Sequence, residues 1–207
     1  AYPLLLSPSG AKFGKTEGGT SVWLDPEMTT PFAFYQHWLN TDDRDVIRYL
    51  KYFTMLDREA IDGLERKHIE NPGAREAHRA LALAVTELIH GPGATREAVQ
   101  ASAILFGGEP AGVGESTFVE LAGEVPSVTA EAGVLSGEGA GVMDLMVQSG
   151  LCASKGQARK DIEGGGIYLN NERVTSVGAK VGVNRLLFGK YMLLRKGKRN
   201  YVLMTFR

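Results

Sequence analysis

Residues 154–174 read SKGQARKDIEGGGIYLNNERV, and the change of pattern within this stretch decides what kind of domain surrounds it. Ser154 is a good N-cap residue, and the ten residues from Ser154 to Glu163 contain no helix breaker apart from the early Gly156. The helix is expected to run to Glu163, and Gly166 to Leu169 follows as a strand-like piece. Asn170-Asn171 is a turn pair that tolerates positive φ, so Arg173 to Val174 is expected to return beside the first strand. Upstream, Val142 to Ser149 forms a second short helix, separated from the first by Gly150. Downstream, Tyr191 to Arg195 and Asn200 to Phe206 predict a hairpin around Lys196-Gly197-Lys198-Arg199. Residues 142–207 therefore read as a small α+β domain.

The charge of this domain is distinctive. From Val142 to Arg207 there are twelve Lys and Arg against four acids, an excess of eight positive charges. The rest of the chain has eleven against twenty, which brings the whole to −1. A split of this kind predicts that the last third meets a polyanion. Lys155, Arg159 and Lys160 follow one another at spacings that turn them toward one side of the predicted helix. Lys196, Lys198 and Arg199 form a second basic cluster in the hairpin turn. Neutralising several phosphates releases counterions and makes the affinity salt-dependent.

Before this domain the pattern is helical. Pro31 opens a predicted helix bearing Phe32, Tyr35, Trp38 and Leu39, and Phe32, Phe34, Tyr35 and Trp38 read as packing rather than as a base-stacking platform. Thr41 is expected to cap the next helix, with Asp42 and Asp43 in its first turn and Val46, Tyr49, Leu50, Phe53 and Leu56 at helical spacing. A third begins near Asp57 and stops at Asn71-Pro72-Gly73. A fourth, from Ala74 to His90, places Ala77, Leu81, Ala84, Val85 and Leu88 on one stripe. A fifth, through Ala98, Ala101, Ser102 and Leu105, follows Gly91-Pro92-Gly93. Helices in series with short breaks predict a bundle over 31–107. The glycine-rich stretch 108–141, with one short helix around Thr117 to Ala122, reads as an inter-domain linker.

Composition excludes several classes. With 43% hydrophobic and 23% charged residues the chain has an ordinary globular balance, and no apolar run reaches the roughly 18 to 20 residues that span a bilayer. The opening AYPLLLSPSG lacks the basic start and small-residue cleavage site of a secretory signal, and a first residue other than Met fits a fragment or a processed chain. Cys152 is the only cysteine, so there is neither a disulfide framework nor a thiolate zinc site, and no metal ligands are assigned.

Lys12-Phe13-Gly14-Lys15-Thr16 carries the clearest chemistry. Two lysines three apart around a glycine make a flexible cationic loop suited to a phosphate chain. When negative charge develops on a departing phosphoryl oxygen, one preorganised donor is worth roughly 2.7 to 4 kcal/mol of transition-state stabilisation. As an isolated pentapeptide the pattern is unspecific, since Lys-x-x-Lys occurs on many surface loops.

The runs KFGKTEGGTSVWLD (12–25) and PFAFYQHWLNTDDRDVIRYLKYFT (31–54) together resemble bacterial-type tyrosyl-tRNA synthetases, in which KFGKT is a local form of the KMSKS signature of class I synthetases. The resemblance continues through Leu81 to Gly91 and into 154–174, which is similar to the αL RNA-binding motif. It implies a multidomain α+β fold. Residues 1–30 would be the end of an α/β nucleotide-binding domain, 31–107 an all-α domain that binds the anticodon stem, 108–141 the linker, and 142–207 the RNA-binding domain. It implies activation of tyrosine with ATP, accompanied by Mg2+, and transfer of tyrosine to tRNA(Tyr), with no tightly bound cofactor. Lys12 and Lys15 would act on the ATP phosphates, flanked by Gly14 and Thr16. Lys155, Arg159, Lys160, Lys196, Lys198 and Arg199 would face RNA. A homodimer, a cytoplasmic or organellar-matrix location and no membrane attachment are expected of the full-length enzyme. His37, His68, His78 and His90 form no HIGH-type pattern and read as surface or half-buried helix residues, so this chain alone is expected not to make the adenylate. The alternative is a non-catalytic protein that binds structured RNA. Retention of KFGKT favours the synthetase.

Overall fold

Thr30 and Pro31 start the first helix in the way their chemistry dictates. The Thr30 hydroxyl accepts a hydrogen bond from the Ala33 amide at 3.1 Å, and Pro31 occupies a first-turn position where a missing amide hydrogen costs nothing. This computed structural model describes residues 22–108, 110, 113–197 and 200–207. The chain divides into two units, Ala1–Val99 and Gln100–Arg207.

In the first unit, α1 (Pro31–Leu39) buries Phe32, Phe34, Tyr35 and Trp38. Trp38 meets Tyr49 and Phe53 of α2 (Val46–Phe53) at ring-centroid distances of 6.1 and 5.2 Å, so the aromatic residues are packing, as expected. The start of α2 differs from expectation. Its N-cap is Asp45, not Thr41, and Asp42 and Asp43 precede the helix. The Asp42 carboxylate instead accepts from the Arg44 amide and from the Arg44 guanidinium, each at 2.9 Å. A short side chain that bonds the backbone two residues on stabilises a turn in place of a helical start.

Asp57 caps α3 (Arg58–Glu70) through a bond from the Ala60 amide at 2.8 Å, and a 3-10 turn over Pro72–Ala74 ends the segment. Next comes α4 (Glu76–Leu105), broken at Gly91, where φ is 80° and ψ is 169°. Gly91 is outside helical geometry, so the two helices expected on either side of Gly91-Pro92-Gly93 are both present, one ending before the break and one starting after it. The buried stripe of the first of these helices contains Ala77, Leu81 and Val85, as expected, but also Ala82, His78 and Thr86. Leu88 is 55% exposed. Apolar spacing gives no weight to buried His78 and Thr86, so it turns the stripe toward the wrong flank.

The second unit is a mixed α+β arrangement. Its elements after α4 are α5 (Glu115–Glu124), β1 (Ser127–Ala130), β2 (Ala140–Gly141), α6 (Val142–Gln148), α7 (Lys155–Glu163), β3 (Ile167–Leu169), β4 (Glu172–Arg173), β5 (Lys180–Val181), β6 (Tyr191–Lys196) and β7 (Asn200–Phe206). Five strands form one sheet in the order β1-β7-β6-β3-β4, with β1 parallel to β7 and the other neighbours antiparallel; β2 and β5 pair separately. Leu145, Met146, Ala158 and Ile162 of α6 and α7 pack against Ile167, Leu169, Met192, Leu194, Met204 and Phe206 on one face of the sheet. On the other face, Phe118 of α5 stacks on Tyr191 at 5.6 Å. The stretch expected as a linker therefore contains α5, whose Phe118 and Leu121 are fully buried, and β1, an edge strand of the main sheet. At one position the fold requires glycine. Gly139, at φ 80°, would place a Cβ 2.6 Å from the Val181 carbonyl oxygen.

Candidate nucleic-acid interface

α7 owes its sidedness to a few residues. The Ser154 hydroxyl caps it by accepting from the Gln157 amide at 3.2 Å. Ala158 and Ile162 enter the core, while Lys155, Arg159 and Lys160 are exposed. The helix ends in a Schellman arrangement in which the Gly166 amide bonds the Asp161 carbonyl at 2.9 Å and the Gly165 amide bonds that of Ile162 at 2.8 Å. Gly165 takes φ 68°, the left-handed turn this motif requires.

Two of the exposed cations are partnered by carboxylates. Lys155 lies 2.5 Å from Asp144 and Arg159 lies 3.1 Å from Glu163, with side chains 66% and 65% exposed. Exposed pairs of this kind contribute about 0 to 1 kcal/mol, so a phosphate can compete for either cation. Lys160 is exposed, and no ion pair among the described residues holds it.

Lys196 differs in kind. It is only 30% exposed and lies 2.6 Å from Asp161, itself 18% exposed. Asp161 also accepts from the Gln157 amide group at 2.9 Å and from the Cys152 thiol at 3.3 Å. Partial burial works against the Asp161 carboxylate. The hydrogen bonds from Lys196, Cys152 and Gln157 outweigh it and hold the pKa below the usual carboxylate range. Burial, reinforced by the hydrogen bond to Asp161, pushes the Cys152 thiol up to about 11, so this cysteine is a protonated donor and not a nucleophile at neutral pH.

The Asn170-Asn171 turn adopts positive φ at both residues, 48° and 65°. Its side chains organise what lies around it. Asn170 donates to the Arg185 carbonyl at 2.7 Å and accepts from the Leu193 amide at 2.9 Å. Asn171 donates to the carbonyls of Ile104 and Gly108, both at 2.7 Å, and accepts from the Arg195 guanidinium at 3.2 Å.

This register creates a surface that the sequence reading did not anticipate. Tyr168 on β3 stands opposite Arg173 on β4 and Arg195 on β6, and Arg195 stands opposite Tyr201 on β7. Directly opposed residues share a face, so Arg173, Tyr168, Arg195 and Tyr201 form one row across the sheet. The Arg195 guanidinium lies over the Tyr168 ring, 3.9 Å from its centroid. Such a row offers guanidinium groups to phosphates and ring faces to bases. The alternation of Tyr168 between buried Ile167 and Leu169 was the available signal, but which residues oppose it depends on strand pairing.

Of the other expected site residues, Lys12, Gly14, Lys15, Thr16, Lys198 and Arg199 lie outside the described residues. Among the described helices none is long and apolar enough to cross a membrane.

Comparison with known proteins follows the same division of the chain. The family described as "tRNA synthetases class I (W and Y)" matches residues 1–107, and the "Tyrosine--tRNA ligase SYY-like C-terminal domain" matches residues 117–204. A tyrosine–tRNA ligase of Opitutus terrae is 50% identical over 203 residues, covering 98% of this chain and 48% of that protein. One from Bacillus caldotenax is 45% identical over 204 residues, covering 99% of the chain and 47% of the relative. A solution structure of a tyrosyl-tRNA synthetase C-terminal domain is 33% identical, covers 48% of this chain and 96% of that domain, and superposes with a TM-score of 0.38. The chain spans about half the length of the curated relatives it matches. With more than half of its length matched by the first of these families and most of the remainder by the tyrosine–tRNA ligase C-terminal domain, the chain belongs to the class I tRNA synthetases of the tryptophan and tyrosine type.

Proposed function

We propose that this chain supplies the phosphate-handling loop and the RNA-binding half of a tyrosine–tRNA ligase. The observation that carries the reading is the consecutive match of two families along one chain, the synthetase family through KFGKT and the ligase C-terminal domain after it. In this reading the complete enzyme condenses tyrosine with ATP, supplied as its magnesium complex, to tyrosyl-adenylate and pyrophosphate. It then transfers the tyrosyl group to the 3′ end of tRNA(Tyr). Lys12 and Lys15 neutralise the charge that builds on the pyrophosphate as it departs, and Gly14 lets the loop close over it. Thr16 provides a hydroxyl beside the phosphates. The complete enzyme works in the cytoplasm as a homodimer.

The domain that holds α7 and the five-stranded sheet binds the tRNA. Its outer cations, Lys155, Arg159 and Lys160, reach phosphates directly, and Lys198 and Arg199 extend that surface from the hairpin turn. Lys196 contributes by fixing α7 to β6 through Asp161. A purely RNA-binding role leaves the lysine loop without a task, so the ligase reading accounts for more of the chain.

The test is tyrosine-dependent pyrophosphate exchange by the full-length enzyme with and without Lys15→Ala. Loss of roughly 100-fold or more in exchange rate is expected, the scale of one missing transition-state donor. Tyrosine binding should be unchanged. Full exchange activity in the variant would remove Lys15 from the reaction.

A further inference from the structure

We propose that Asp43, His68 and His78 form a binding site for one divalent transition-metal ion of the zinc class, which pins the connection before α2 to α3 and α4. One ligand atom from each of the three residues lies within 4.8 Å of the other two. They come from three separate pieces of chain, so only the folded first unit brings them together. Nitrogen-rich sets of this type select zinc and its neighbours over magnesium and calcium, which prefer oxygen ligands.

His78 is the unusual member. It is completely buried on α4, and its Nε2 lies 3.0 Å from Asp43 Oδ1 without the alignment of a hydrogen bond. The Thr41 backbone also engages the buried ring, so its orientation beside the Asp43 carboxylate is fixed before any ion binds. The two ligand atoms are already about as far apart as neighbouring ligands on a tetrahedral zinc, roughly 3.3 Å for bonds of about 2.0 to 2.1 Å.

His68 has the orientation that ligating histidines use. Its Nε2 is 3.1 Å from the Asp43 carbonyl oxygen, which can only accept, so Nε2 carries the proton. That leaves the lone pair on Nδ1, a buried atom with no hydrogen bond among the described residues. A backbone carbonyl holding one ring nitrogen so that the other can bind is the common outer arrangement of metal-bound histidine. The His68 and His78 rings are 5.5 Å apart, centroid to centroid. The exposed Asp43 side chain closes the remaining distance by rotation, and water completes the coordination. Arg75 is the competing cation. Its Nη1 is 3.8 Å from Asp43 Oδ1, a long contact, while Nη2 is bonded to the Leu39 carbonyl at 2.6 Å and keeps the guanidinium anchored as the ion enters.

The experiment is equilibrium dialysis of the untagged chain, stripped with a chelator, against zinc. Thermal unfolding is followed in parallel. One zinc per chain is expected, with a rise in Tm that a hundredfold excess of magnesium does not mimic or displace. Asp43→Asn and His68→Gln change partly exposed residues and leave the metal-free Tm near that of the parent. Each should weaken zinc binding about tenfold or more. Absence of stoichiometric zinc, equal affinity in parent and variants, or displacement by magnesium would overturn the assignment.

Discussion

Asp161 shows how one residue's surroundings settle its role. It gathers Lys196, Gln157 and Cys152 at the junction of α7 and β6, and its depressed pKa is the signature of that convergence. A carboxylate whose folded pKa is depressed stabilises the fold above its unfolded pKa of about 4 and loses that contribution as the pH falls through the lower folded value. Asp161→Asn should therefore cost about 1 to 3 kcal/mol at neutral pH, by analogy with other lost charged hydrogen bonds. It should also flatten the decline of stability below about pH 4. Urea unfolding at a series of pH values checks both parts. Parent-like acid sensitivity in the variant would mean that other carboxylates set the acid response. The sequence made Lys196 one of six equivalent cations. Only the fold separates it, through Asp161, from exposed Lys155 and Arg159 with their weak surface pairs.

At the scale of elements, the α7–β3–β4 unit was the most legible part of the chain. Ser154 and the Asn170-Asn171 pair state their conformations through local chemistry, and the helix and both strands form within a residue of where that chemistry places them. What local chemistry does not contain is the use of Gly165 as a floor for Arg173. A Cβ at Gly165 would sit 1.4 Å from Arg173 Nη2, and the residue holds φ 68°. Gly165→Ala is expected to destabilise the domain by about 1 kcal/mol or more through the left-handed backbone alone. It should also displace the Arg173 guanidinium from the Arg–Tyr row. The Tm of the variant and its RNA affinity at fixed salt measure the two effects separately. The start of α2 and the stripe of α4 were less legible, because Asp42 closes a turn with Arg44 and because His78 and Thr86 are buried against their type.

For the whole molecule the decisive quantity is charge and where it lies. If the basic domain neutralises about five phosphates, log affinity for tRNA should fall with log salt at a slope near −3.5 to −4.5. Replacing Lys155 and Lys160 together with glutamine should reduce the magnitude of that slope by about 1.4 to 1.8, one increment per lost contact. Filter binding or fluorescence titration over a salt series measures this. An unchanged slope would place the RNA elsewhere on the protein. The sequence by itself determined the family through its resemblance; periodicity, capping residues and net charge, which are local or additive properties, determined the main helices, the strands β3, β4, β6 and β7, and the segregation of positive charge into the last third. Tertiary structure alone decided that the short helix expected within glycine-rich 108–141 is buried through Phe118 and Leu121, and that the same stretch supplies an edge strand of the sheet. It also decided which cations face solvent, and that Asp43, His68 and His78 meet. Those outcomes depend on which distant residues become neighbours, and strand register and helix packing settle that only when the chain folds.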